Sequence, residues 1–241
     1  MKVRVMSYRL LGLLKGTIFH PQWMTDRFHF RSKESLKVLR SATVLDVGSG
    51  DASYTGLMDS SNHLYTIDYP TTNKKYQSAP NIFADARCLP VANANIDIVL
   101  LFEVLEHVPD VQKVAEEVRR VLRPGGEFYL SVPFIYPIHD APNDFWRFTV
   151  YGITDLLENH GFETLKLVTH GNTLVAALQM FNLGLLEICR DCYQRSSVFG
   201  IIFGLLFYPI TLSVNFLAWP LFHLPLGKAG NFGYFVIARK K

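Results

Sequence analysis

Hydrophobic positions in this chain follow two rhythms. Short runs rich in β-branched residues, at 44–47, 64–68, 96–102 and 127–132, read as buried or half-buried strands, with a shorter apolar patch at 82–84. Between them, Val111, Val114, Ala115, Val118, Val121 and Leu122 recur at helical spacing and predict an amphipathic helix over 110–122. Pro124-Gly125-Gly126 then ends that helix and turns the chain into a strand from Glu127. A further helix over 150–160 closes at Gly161, followed by strands at 162–168 and 232–238. Strands alternating with helices predict a doubly wound, Rossmann-like α/β sheet with helices on both faces. Right-handed crossovers place the strand C-terminal ends on one edge, so Asp46, Asp68, Asp85 and Phe102 converge there although they are far apart in sequence.

The rhythm fails between the last two strands. About sixty mostly apolar residues separate them, and no Lys, Arg, Asp or Glu occurs in 169–186 or 196–227. Leu174, Leu178, Phe181, Leu185 and Ile188 share one helical face, and the 22 residues from Val198 to Trp219 carry no charge. As a helix that segment measures roughly 33 Å, enough to cross a bilayer. A single crossing would strand the last strand on the far side, and Pro209, Pro220 and Pro225 favour a kinked or re-entrant path. Two apolar helices that leave and return on one side fit better. Their competing uses are membrane association, a homodimer interface and a lid over a greasy substrate.

The run Val44-Leu45-Asp46-Val47 breaks into Gly48-Ser49-Gly50-Asp51-Ala52, where glycine permits a tight turn and close approach of backbone to a ligand. The third glycine of a dinucleotide fingerprint is missing. With Asp68, Asp85-Ala86, Leu89-Pro90, Asp97, Phe102-Glu103-Val104-Leu105-Glu106-His107 and Leu122-Arg123-Pro124-Gly125-Gly126, the chain resembles the class I S-adenosylmethionine (SAM)-dependent methyltransferases over roughly 40–170. The resemblance implies a seven-stranded sheet with the apolar helices inserted before its last strand. It also implies SAM as cofactor, bound by Asp46, Gly48, Gly50, Asp68, Asp85, Ala86 and Phe102. Backbone N–H groups of the turn and the N-terminus of a following helix would face the methionine carboxylate. Asp68 would accept the ribose hydroxyls and Asp85 the adenine amino group, with Phe102 beside the ring.

SAM carries its own leaving group, so the protein's task is alignment, exclusion of water and in some cases a base. The loop after the fifth strand offers His139, Asp140, Asp144 and Arg147. His139 is the first choice of base for a hydroxyl acceptor, Asp144 can orient it, and Arg147 can hold an anionic group. His107 is the rival base. The alternative is a loop that satisfies itself, with Arg147 paired to Asp144.

Composition narrows the rest. Only 19% of residues are charged and the net charge is +3, too little to suggest a nucleic-acid partner. Three cysteines form no disulfide framework, which points to a reducing compartment. Cys189 and Cys192 lack two further ligands at matching spacing, so no metal site is expected from them. Lys2, Arg4, Arg9 and Lys15 make the start basic; it reads either as a segment lying on a membrane surface or as an ordinary helix packed on the domain. The chain thus divides into a basic segment (1–31), a SAM-binding domain (32–170), an apolar helical insertion (171–230) and a last strand (231–241). The expected function is methyl transfer, with oxygen the favoured acceptor atom, to a small or lipid-linked acceptor at the cytoplasmic face of a membrane. A non-catalytic SAM-binding membrane adaptor and a nicotinamide dehydrogenase are the competing classes.

Overall fold

The computed structural model describes residues 12–52, 54–70, 79–224, 227 and 229–241, excluding the side chains of 28–32. Lys2, Arg4 and Arg9 of the basic segment lie outside the described residues. Two compact units emerge. One comprises Ser32–Phe134, Ile138–Thr169 and Gly233–Lys241; the other comprises the described part of Met1–Arg31 with Ile135–Pro137 and His170–Phe232.

The first unit is built on seven strands: β1 (Thr43–Val47), β2 (His63–Asp68), β3 (Ile82–Phe83), β4 (Ile96–Phe102), β5 (Leu122–Pro133), β6 (Phe162–Thr169) and β7 (Gly233–Lys240). Their order is β3-β2-β1-β4-β5-β7-β6. Neighbours pair in parallel except β7, which runs antiparallel between β5 and β6. The Rossmann-like sheet expected from the sequence is present.

Strand β4 shows why the sheet is two-sided. All of its residues except Asp97 are buried, as a central parallel strand requires. Val99 and Leu101 pack into a core with Val114 and Val118 of α2 and with Ile153 and Leu157 of α3, two helices whose ranges are Val111–Val121 and Val150–Asn159. Ile98, Leu100 and Phe102 face the other way, toward Leu36, Tyr54 and Phe235. Helix α2 starts where Asp110 accepts the Lys113 N–H at 3.0 Å, and α3 where Thr149 accepts the Gly152 N–H at 3.1 Å.

Two details depart from the sequence reading. Helix α2 stops at Val121 and Leu122 is already extended, so Pro124-Gly125-Gly126 lies inside β5 at a register shift against β4 instead of between two elements. Among the described residues no α-helix follows the glycine turn after β1, and only the 3-10 turn Thr55–Leu57 stands there. The Leu36–Tyr54 side of the sheet is therefore covered by 3-10 turns, Glu34–Val38 being the other.

In the second unit, α1 (Trp23–Lys33) accompanies two long helices, α4 (Thr173–Arg195) and α5 (Ser197–Leu221). They form an antiparallel hairpin turning at Ser196. A Cβ on Gly200 would lie 2.6 Å from the Tyr193 Cα, so the helices approach there only because Gly200 has no side chain. Further along, Asn182 Nδ2 donates to Asn215 Oδ1 at 3.0 Å. Asn215 Nδ2 donates in turn to the carbonyls of Ile18 (2.8 Å) and His20 (2.9 Å). Trp23, Met24, Val175, Ala176, Ala218 and Phe232 form the small core.

Of the apolar face of α4 predicted from sequence, Leu178 and Leu185 are half-buried, Leu178 against the small core, and the rest points outward. Leu174, Phe181 and Ile188 are all exposed, while Val175, Ala176, Gln179 and Asn182 are buried. Helix α5 likewise exposes Phe199, Ile202, Leu205, Leu206 and Leu217, and it continues through Pro209 and Pro220. Both helices are long and apolar enough to cross a membrane, and only 28% and 11% of their most apolar windows are buried.

Candidate active site

The end of β1 is shaped by backbone geometry. Gly48 has φ +79° and Gly50 φ +55°, left-handed values at which a side chain is strained. A Cβ on Gly48 would also collide with the Val104 side chain. Asp68, at the end of β2 and 6% exposed, ties the turn to its neighbour strand. Its Oδ2 accepts the Gly50 N–H at 2.8 Å and its Oδ1 the Tyr69 N–H at 2.7 Å. Each oxygen retains a second lone pair for a hydroxyl donor.

Asp46 sits elsewhere. It is fully buried on the Tyr54 side of the sheet, and the Tyr54 hydroxyl reaches both of its oxygens. Burial raises its pKa to about 7 against the opposing pull of the Tyr54 hydrogen bond and Lys33. Phe102 packs edge-on to Tyr54, with ring centroids 5.6 Å apart, and also lies against Phe235.

Asp85 follows β3 and is held by Arg87, whose Nη2 donates at 2.7 Å and whose backbone N–H donates at 2.8 Å. The hydrogen bonds from the Arg87 side chain keep its carboxyl below the usual range. Ala86 packs against the main core. Asp46, Gly48, Gly50, Asp68 and Phe102 thus belong to adjoining strand ends of β1, β2 and β4, with Asp85 and Ala86 just past β3.

The second cluster combines the turn after β4 with the loop after β5. Arg147 donates to both oxygens of Asp144, at 2.6 and 2.7 Å, and the His139 N–H donates to Asp144 Oδ2 at 2.8 Å. These bonds, Arg147 first, hold the Asp144 carboxyl down at about 2. His139 Nδ1 lies 3.3 Å from Asp144 Oδ2. The rings of His139 and His107 meet edge to face, 4.8 Å between centroids.

Beneath them is Glu106, which the sequence reading used only as part of a motif. It is fully buried, and the Nε2 atoms of His107 and His139 lie 3.7 and 3.8 Å from its Oε1. Burial above all, and then the charge of Glu103, push its carboxyl well above the ordinary range. The available signal was adjacency: an acid directly preceding a candidate base at a strand's C-terminal end. The four predicted acceptor-side residues, His107, His139, Asp144 and Arg147, come together around it.

Comparison with known proteins bears on this geometry. Residues 45–130 match the family model described as "Methyltransferase domain". Over residues 45–130 the chain is thus similar to methyltransferase domains. A probable SAM-dependent methyltransferase of Mycolicibacterium smegmatis is 33% identical over 132 residues, covering 50% of this chain and 51% of that protein. The 27-O-demethylrifamycin SV methyltransferase of Amycolatopsis mediterranei is 28% identical over 126 residues, covering 47% and 46%. The chain spans about half the length of these curated relatives. Among solved structures, a sarcosine dimethylglycine methyltransferase of Galdieria sulphuraria aligns with TM-score 0.54 at 19% identity, over 92% of this chain and 84% of that one. The [4+2]-cyclase SpnF aligns with TM-score 0.55 at 16% identity, over 89% and 80%. At such identities the likeness is one of fold, and the two neighbours are named for different reactions.

SAM is the methyltransferase domain's cofactor, and the residues present fit it. Gly48 and Gly50 supply the left-handed backbone that the turn needs, and Asp68 is fixed with lone pairs to spare. The expected contribution of a helix N-terminus is missing, since the element after the turn is the 3-10 turn Thr55–Leu57. The Gly48, Ser49, Gly50 and Ala52 N–H groups all donate within the protein, to the Ile67 carbonyl, Asp68 and the Ser49 carbonyl.

Proposed function

We propose that this chain transfers the methyl group of SAM to an oxygen of a small or lipid-linked acceptor at a membrane surface. The observation that carries the reading is the pairing of two prepared ends: the Gly48–Ala52 turn with Asp68 for the cofactor, and the cluster of Glu106, His107, His139, Asp144 and Arg147 for the acceptor. The methyl moves from sulfonium sulfur to the acceptor oxygen, leaving S-adenosylhomocysteine, and the hydroxyl proton is released at the second cluster. His139, oriented by Asp144, is the group nearest that task. Asp85 and Phe102 serve toward the adenine, and Arg147 toward an anionic acceptor group.

Two further features support the finer assignments. The Amycolatopsis relative is named for an oxygen-linked methylation, which favours oxygen here. The outward-facing apolar side chains of α4 and α5 favour a hydrocarbon environment over water; a second copy of the chain packed on that face is the competing occupant.

Labelled SAM incubated with the full-length protein and fractionated cell extract tests this reading. Label entering the lipid or glycan fraction, and lost with His139→Ala while SAM affinity is kept, is the expected result. SAM binding without transfer into any fraction would instead identify a non-catalytic adaptor. Binding of NAD in place of SAM would sink both.

A further inference from the structure

Glu106 presents an unusual balance of groups. Its carboxylate has no solvent exposure, and no hydrogen-bond donor among the described residues reaches either oxygen. Its own backbone N–H and the charge of the more remote Arg147 favour the ionised form, against the charges of Glu103 and Asp144. A buried carboxylate left in this state is costly unless it takes up a proton or something positive sits against it.

The two histidines identify what that is. His107 Nδ1 lies 2.6 Å from the Asn143 carbonyl oxygen, an acceptor only, so Nδ1 carries the proton and Nε2 keeps its lone pair. His139 Nδ1 is nearer to the Asp144 carboxylate, at 3.3 Å, than to Arg147 Nη2, at 3.5 Å, and Arg147 is already committed to both Asp144 oxygens. With Nδ1 donating toward Asp144, His139 Nε2 would keep its lone pair as well. Two imidazole lone pairs and a carboxylate oxygen then converge, all within 4.8 Å of one another. Three electron-rich atoms facing one point repel unless a cation or extra protons join them.

We propose that Glu106, His107 and His139 bind a divalent first-row transition-metal ion through Glu106 Oε1 and the two Nε2 atoms. The 3.7 and 3.8 Å separations are close to the edge of about 3.4 Å that bonds of ~2.1 Å make in a tetrahedral site. Each histidine turns its other nitrogen to a carbonyl or a carboxylate, the arrangement that orients metal-bound imidazoles. Two imidazoles with one carboxylate suit zinc, manganese, iron(II) or cobalt; magnesium and calcium prefer all-oxygen shells. Three protein ligands leave positions open for the acceptor oxygen, whose hydroxyl becomes more acidic there and releases its proton to solvent.

This deepens the acceptor-side assignment and rests on it: His139 becomes a ligand, and the ion supplies the acidity otherwise asked of a base. It also departs from the expectation of no metal, which came from the Cys189/Cys192 pair alone.

The test is titration of Mn2+ and Co2+ into chelator-treated, untagged full-length protein in detergent, with Cys189→Ser and Cys192→Ser introduced to remove thiolate ligands. One ion per chain is expected, with Glu106→Gln and His139→Asn each weakening binding about ten-fold or more. No stoichiometric binding by the parent, or equal binding by both variants, overturns the proposal. Should a variant fail to fold, Mn2+ broadening of ring resonances decides: selective loss of the His107 and His139 signals is expected, and uniform broadening of all histidines overturns it. SAM calorimetry on the same samples keeps the two readings apart. A parent that binds metal but not SAM refutes the proposed function alone, and one that binds SAM but not metal refutes only this site.

Discussion

Tyr54 donates its hydroxyl to both carboxylate oxygens of Asp46, at 2.7 Å each, inside the sheet and away from water. The pair makes folding pH-dependent. With its folded pKa raised to about 7, Asp46 binds more protons in the native than in the unfolded state between about pH 4 and pH 7. Its contribution to stability is thus fully present below the unfolded pKa and is lost as pH rises through the folded one. Asp46→Asn keeps an acceptor for Tyr54 and removes the titration. Denaturant melts from pH 5 to pH 8 should show wild-type stability falling by roughly 2–4 kcal/mol and the variant curve flatter; parallel curves would refute the assignment.

Asp68 joins the turn to β2 through the Gly50 and Tyr69 N–H groups. Asp68→Ala leaves both donors unpaired and removes the acceptor for the ribose, so SAM affinity should fall by about two orders of magnitude, or ~2–3 kcal/mol. Calorimetry checks this, with thermal melts showing that the variant still folds. Unchanged affinity would remove Asp68 from the cofactor site.

Asn215 holds three partners: Asn182 and the carbonyls of Ile18 and His20. Asn215→Leu strands these polar groups in a buried setting and should cost about 2–4 kcal/mol. The readout is proteolysis, which should become faster near residues 14–22 in the variant while the Gly233–Lys240 strand stays protected.

Leu205, Leu206 and Leu217 are exposed along α5, at 73%, 56% and 60%. Replacing all three with Glu should move the protein from the membrane pellet to the soluble fraction on sedimentation with lipid vesicles. Methyl transfer to a water-soluble acceptor should persist. If the parent itself stays soluble and monomeric without detergent, the membrane assignment fails.

The central strands were legible because burial on both faces imposes a continuous apolar run; Ile96–Phe102 appears in the structure with the predicted limits. Strand β3 is two exposed residues long, so neither length nor burial marked its end. Periodicity found a helical face on α4 but not which way it points, because spacing carries no sign. On the acceptor side, His107, His139, Asp144 and Arg147 were readable as chemistry-bearing residues in two loops. Glu106 was not, since its distinction is the lack of a hydrogen-bond donor around it, which no local pattern encodes. The missing helix after β1 has a similar origin: a glycine turn signals a bend without specifying the next element.

Strand β7 lies between β5 and β6 although it is the last of the seven in sequence, and α4 and α5 precede it directly. During synthesis, therefore, the hairpin leaves the ribosome while a slot in the sheet is still open. On the proposed membrane reading, the apolar helices meet a bilayer before β7 arrives to close the slot. Delivery to a membrane would then come before completion of the methyl-transfer domain, ordering location and activation in time through nothing more than the order of elements along the chain.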